Sequence, residues 1–239
     1  MKLSFAARLA LCASCLLSYG SARATTVATW DFQNAATTNT GVSPSPTVQA
    51  TIPGGVNASG VATALHASAS TVWSNPSGNG STESLNSNTW ATGDYYQFTL
   101  SISDNEFAGL GLQVAFDQTG SNTGPKDFQL SYSLDGTNFT NFGAVYNVTN
   151  DSWSPTVPKP VSTRTFDLTS ASDIDAALAG ASSNITFRLT MADASPISGT
   201  LGTAGTDRVD NFAVTATPEP SAVLSLFLAG GIMALRRRR

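Results

Sequence analysis

The sequence predicts an all-β protein, an antiparallel, jelly-roll-like β-sandwich. Two observations carry that expectation: apolar residues recur with a period of two in run after run, and the stretches between the runs are dense in turn formers. Tyr96, Phe98, Leu100 and Ile102 alternate with Gln97, Thr99 and Ser101, as in a strand that buries one face. Leu110, Leu112, Val114 and Phe116 repeat the rhythm, as do Phe128, Leu130, Tyr132 and Leu134, and again Ile185, Phe187, Leu189 and Met191. Shorter strands are expected over residues 27–32, 47–52, 61–69, 139–146, 164–168 and 209–216. Asp135-Gly136 marks a tight hairpin, because glycine tolerates positive φ at no steric cost. One helix is expected after Ser172-Asp173-Ile174-Asp175, which reads as a capping box with Asp in place of Glu. The runs "SNPSGNGSTESLNSNT" (74–89) and "TGSNTGPK" (119–126) read as loops.

The two chain ends differ from this body. Lys2 and Arg8 precede and enter an apolar stretch, and Ala22-Arg23-Ala24 is a small-x-small cleavage site, so residues 1–24 are expected to be a signal peptide. Both cysteines, Cys12 and Cys15, fall inside it, which leaves no thiol for a disulfide or a metal beyond Thr25. Residues 25–217 form the expected ectodomain. Its 15 acids and 5 bases give a strongly negative body that whole-chain composition conceals. Nucleic acid is excluded as a partner, since phosphate binding rests on Lys and Arg.

The chain closes with "TPEPSAVLSLFLAGGIMALRRRR". Its uncharged run, residues 221–235, is 15 residues long. As a helix it would measure roughly 22 Å, short of the roughly 30 Å hydrocarbon core of a bilayer. It is apolar all round and followed by Arg236, Arg237, Arg238 and Arg239, so 218–239 is expected to be a sorting or anchor segment holding a transmembrane helix, with those arginines on the cytoplasmic side. Pro218-Glu219-Pro220, the apolar run and the arginine cluster, in this order at the C-terminus, resemble the PEP-CTERM sorting signal of Gram-negative bacteria. The resemblance implies an exosortase as partner, cleavage near Pro218-Glu219-Pro220, and delivery to the cell surface or extracellular matrix, where such proteins accompany exopolysaccharide in biofilms. A segment removed by a protease needs only transient residence in the membrane, which accounts for the short run.

The body has a second, less specific resemblance. "ATWDF", "GDYYQFTLS", "FQLSYSLDGTNF" and "TDRVDNFAVTA" are similar to stretches of bacterial extracellular modules whose jelly-roll fold is like that of carbohydrate-binding domains. This implies architecture, and no catalytic residue can be carried across.

Candidate functional residues follow from residue chemistry. Trp73, Trp90 and Trp153 stand among polar loop residues ("TVWSNP", "SNTWAT", "NDSWSP"). Exposed, they would be glycan-stacking platforms; buried, they would close the ends of the core. Asp210 falls in the apolar phase of Phe212 and Val214, where a carboxylate needs a partner. Arg208, Arg188 or backbone donors would serve. The sharper alternative is a structural Ca²⁺ shared with Asp31, should the first and last strands lie together; no other cofactor is expected. The lone body histidine, His66, reads as a strand residue, no Gly-x-Ser-x-Gly elbow is present, and the only glutamates of the body, Glu83 and Glu106, are not placed together by any local pattern. The function expected is a non-enzymatic structural, adhesive or polysaccharide-associated one, the competing class being a secreted hydrolase that uses Asp or Glu.

Overall fold

Alternation in the sequence becomes two six-stranded antiparallel sheets packed face to face. The computed structural model describes residues 24–33 and 47–218. Residues 1–23 of the expected signal peptide, Glu219, Pro220, the C-terminal apolar run and Arg236 to Arg239 lie outside the described residues; the backbone of Pro218 ends the last strand.

One sheet contains β1 (Thr25–Trp30), β4 (Trp73–Ser74), β5 (Leu85–Ser87), β7 (Leu110–Gly120), β10 (Thr163–Asp167) and β12 (Asp207–Pro218). Its order is β10-β7-β12-β5-β4, and β1 shares with β5 the other edge of β12. The second sheet runs β2 (Val48–Gln49), β3 (Ala58–Leu65), β6 (Tyr95–Ile102), β11 (Ser183–Met191), β8 (Asp127–Ser133) and β9 (Thr140–Asn147). Helix α1 (Ser172–Leu178) buries Ile174 and Leu178.

Between the sheets, Phe98 of β6 stacks on Phe212 of β12 at 3.6 Å between ring centroids, and Trp30 meets both rings edge-on. Such aromatic contacts add about 0.5–1.5 kcal/mol each beyond area burial. Trp30 also explains Gly60 opposite it on β3: a Cβ there would lie 2.5 Å from the indole. The first and last strands therefore close the core together.

Four local expectations need correction. The segment 74–89, read as loop, contains β5 and the end of β4, which are short because each covers only a few residues of the first sheet's edge. Strand β3 starts at Ala58 and ends at Leu65, which leaves His66 just past it. Ser172 lies inside α1; Ala171 is the N-cap residue and supplies no side-chain cap, while the Asp173 carboxylate accepts from Ile174 N–H and the Tyr132 hydroxyl. Finally, β12 carries a bulge between Asp210 and Ala213, with Asn211 at φ +50°. The extra residue flips the pleat, so Asp207 and Val209 face inward before the bulge while Phe212, Val214 and Ala216 do so after it.

Candidate functional site

The period-two pattern that fills the core also determines what the second sheet shows to solvent. Cross-strand register aligns Thr63 (β3), Gln97 (β6), Arg188 (β11), Ser131 (β8) and Asn141 (β9) in one rung. Next to it lies the rung Leu65, Tyr95, Thr190 and Gln129. Apart from the buried Ser131, the side chains of these rungs, the apolar Leu65 among them, stand half-buried or exposed on the outer face of the sheet.

Arg188 sits at its centre. Its guanidinium carbon lies 3.9 Å from the ring centroid of Tyr95 and 3.7 Å from that of Phe139. Tyr95 reaches it from the neighbouring strand, and Phe139 is brought over it by the β8–β9 hairpin. That hairpin is held by Asp135, whose carboxylate accepts from Thr137 N–H, Asn138 N–H, the Asn138 amide and the Ser133 hydroxyl. These bonds hold the Asp135 carboxyl well below the usual carboxylate range, and Gly136 takes φ +74° beside it.

Arg188 Nε donates to Gln97 Oε1 at 2.9 Å, while Nη1 and Nη2 bond to no described residue. Burial pulls the guanidinium's pKa down, partly countered by Tyr95; arginine stays charged at any physiological pH. Beside it lies a groove of about 420 Å³ lined by Gln129, Phe139, Asn141, Val145, Arg188 and Thr190, among others. Gln129 turns its amide into the β8/β9 bulge, donating to the carbonyls of Leu130 and Phe142. With both guanidinium faces covered by half-buried rings, the arrangement leaves a ligand the Nη edge for hydrogen bonds and the rims of the two rings for apolar contact.

The residues singled out from sequence are placed differently. Trp73, Trp90 and Trp153 are only 3%, 5% and 8% exposed, so none presents a face for stacking. Trp90 and Trp73 flank His66 at 4.2 and 4.8 Å between centroids, and Trp90 Nε1 donates to Ser87 O. Trp153 Nε1 donates to Ser162 Oγ under the Arg208 guanidinium. A large ring among short polar residues covers the end of the core, because burial of its area outweighs the polarity of its sequence neighbours.

Asp210 is fully buried and is satisfied by Asn79 N–H at 2.8 Å, Ser81 Oγ at 2.5 Å and Asn211 N–H at 2.8 Å. Burial nevertheless raises its pKa to about 6. Neither arginine suggested for it forms a salt bridge with it: Arg208 donates to Ser77 O and Arg188 lies on the other sheet. β1 does pair with β12, yet Asp31 turns to Gln33 N–H, and no group of three or more His, Cys, Asp or Glu able to hold a metal occurs among the described residues.

Asp207, which sequence reading passed over, is also fully buried. Gln118 Nε2 donates to its Oδ1, Oδ2 has no hydrogen-bond partner among the described residues, and burial pushes its carboxyl well up. His66 Nδ1 lies 3.6 Å from Asp94 and its Nε2 lies 3.4 Å from Ser87 Oγ. Ser87 is fully buried, so no substrate bond reaches that oxygen.

No protein-family profile matches the sequence, and no curated protein matches it either. Among solved structures, the chain is similar to the CBM22-2 xylan-binding domain of Paenibacillus barcinonensis Xyn10C, with TM-score 0.42 and 13% identity over 79% of this chain and 98% of that one. It is also similar to the CBM22-1-CBM22-2 tandem of the same protein, with TM-score 0.39 and 13% identity over 83% of this chain and 49% of that one. A third similar structure holds the CBM22-1-GH10 modules of Clostridium thermocellum endo-1,4-beta-D-xylanase 10B complexed with xylohexaose, with TM-score 0.38 and 15% identity. There the match covers 66% of this chain and 26% of the other.

Proposed function

We propose that this is an exported surface protein whose body binds polysaccharide, without catalysis, on the outer face of the second sheet. The observation that supports the reading is the stack of Tyr95, Arg188 and Phe139 at 3.9 and 3.7 Å, set in a rung of polar side chains. Pyranose rings offer apolar C–H faces to aromatic rings and hydroxyls to amides. Free arginine carries about 2 kcal/mol of side-chain rotamer entropy, and stacking on both faces removes much of that cost before a ligand arrives. Binding of the residue 25–217 body to a panel of soluble polysaccharides, followed by affinity electrophoresis, tests it. Tyr95→Ala and Phe139→Ala are each expected to weaken binding at least tenfold, and saturable binding unaffected by both would defeat the reading.

The sorting tail belongs to the same proposal. Pro218-Glu219-Pro220 would be read by an exosortase after the apolar run enters the membrane, with Arg236 to Arg239 inside, leaving the acidic body at the surface or in the matrix. Mass spectrometry of the mature protein from its native host is expected to show an N-terminus at Thr25 and loss of the residues beyond Pro220. An intact C-terminus would refute the sorting step.

A further inference from the structure

We infer that the polysaccharide is acidic, and that Arg188 takes the carboxylate of a uronic-acid residue. The inference rests on the binding face proposed above and names its ligand class. Its ground is the fate of the arginines in a body that has few bases. Arg164 spends its Nη groups on the carbonyls of Val161, Thr163 and Asn147. Arg208 donates to Ser77 O and lies beside the buried acids Asp207 and Asp210. Lys126 lies 3.6 Å from Asp127. Arg188 differs from all of these: its Nε is held by Gln97, both Nη ends bond to no described residue, and no carboxylate forms a salt bridge with it among the described residues.

Neutral hydroxyls would be served by the amides and hydroxyls already on the rung. What the guanidinium adds is a fixed charge and a planar edge of parallel N–H groups, which matches a carboxylate in bidentate fashion. Its plane is fixed by the rings on either side, so a sugar laid along the groove would present its equatorial carboxylate to that edge while its ring meets Tyr95 or Phe139. The negative charge of the body opposes approach of an acidic polymer. That repulsion is screened beyond about 8 Å at physiological salt, whereas a contact pair is not.

The test uses the mature body at physiological ionic strength with two probes of one backbone: polygalacturonate and its fully methyl-esterified form, which keeps the hydroxyls and stacking faces and loses the charge. Alginate serves as a second uronate polymer and dextran sulfate as a non-carboxylate polyanion. A uronate polymer is expected to bind at least tenfold more tightly than the methyl ester and the sulfate polymer, and Arg188→Gln to bring it down to the level of the ester. Equal binding of acid and ester, or preference for a neutral polysaccharide, would overturn the acidic assignment while leaving the binding face standing. Equal or tighter binding of dextran sulfate would overturn the carboxylate. No binding to any charged, esterified or neutral polymer would overturn both. The acid–ester comparison is made on the unsubstituted protein, so it decides the matter even if Arg188→Gln folds poorly.

Discussion

Arg188 and Arg208 stand on different sheets and look alike from a distance: each covers an aromatic ring, Tyr95 and Phe139 in one case and Trp153 in the other. Their surroundings separate them. Arg208 is half-buried, with the buried acids Asp207 and Asp210 nearby and the Ser77 carbonyl accepting its N–H. Its charge offsets the cost of acids that the fold has sequestered. Arg188 has rings on both faces and one amide at Nε, and its Nη groups bond to no described residue. One sheet ties its cation to its own groups, and the other leaves its cation's Nη groups without a described partner.

The comparison can be broken most forcefully from the core side. Trp90→Ala removes a ring packed against His66, Tyr96 and Phe128. A loss of about 3–5 kcal/mol is expected, a fall in Tm of about 6–20 °C for a body of this size, with polysaccharide affinity unchanged while the variant remains folded. Lost affinity at full stability would return the glycan-stacking role to the buried tryptophans.

Two titrations sharpen the core side further. Asp210 has a folded pKa of about 6, raised by burial, so its contribution is present below the ordinary carboxylate value and lost as pH rises through about 6. His66 is displaced in the other sense, to about 4, chiefly by burial and against the pull of Asp94. Its contribution is present above the unfolded value of 6.5 and lost as pH falls toward about 4. Each is worth on the order of 3 kcal/mol, and between about pH 4 and 6 they oppose one another. Relative to the parent, Asp210→Asn is expected to gain stability with rising pH across that window, and His66→Gln to gain it with falling pH. Thermal melts at half-unit pH steps measure both; parallel curves for all three proteins would show that neither group is displaced.

The smallest stability effect is expected on the open face. Tyr95→Ala and Phe139→Ala should each change stability by less than about 1 kcal/mol, since an exposed cation–π contact contributes about 0.5–1 kcal/mol, while polysaccharide affinity falls at least tenfold. A large drop in Tm with affinity intact would place this stack with Arg208 as part of the scaffold.

Much of this architecture was legible because it is local. Tyr96, Phe98, Leu100 and Ile102 all face the core as their alternation requires, and the Asp135-Gly136 turn is there because its side-chain bonds involve neighbours within a few residues. The phase error before Phe212 came from a bulge, which no alternation pattern reveals: counting back from Val214 and Phe212 puts Asp210 in the core-facing phase, whereas the extra residue at Asn211 brings Asp207 and Val209 into it. Tyr95 and Arg188 did carry a signal, as a large aromatic and a cation in the polar phase of their strands, but nothing in either segment says that they meet. The sequence left the tryptophans open between stacking platforms and covers for the core, because loop composition describes neighbours in sequence and burial depends on neighbours in space; all three are buried.

By itself the sequence determined the long strands, which side chains share a face within an uninterrupted run, the concentration of basic residues at the chain ends and the acidity of the body. These follow from a two-residue period and from counting charge, and neither depends on how the sheets are ordered. Tertiary structure alone decided that Tyr95 of β6, Arg188 of β11 and Phe139 of the β8–β9 hairpin form one stack, and that Asp210 finds its donors at Asn79 and Ser81. Strand order and register bring together residues that are far apart in the chain, as Asp210 is from Asn79 by 131 positions, and pairing over such distances is governed by the packing of the whole core.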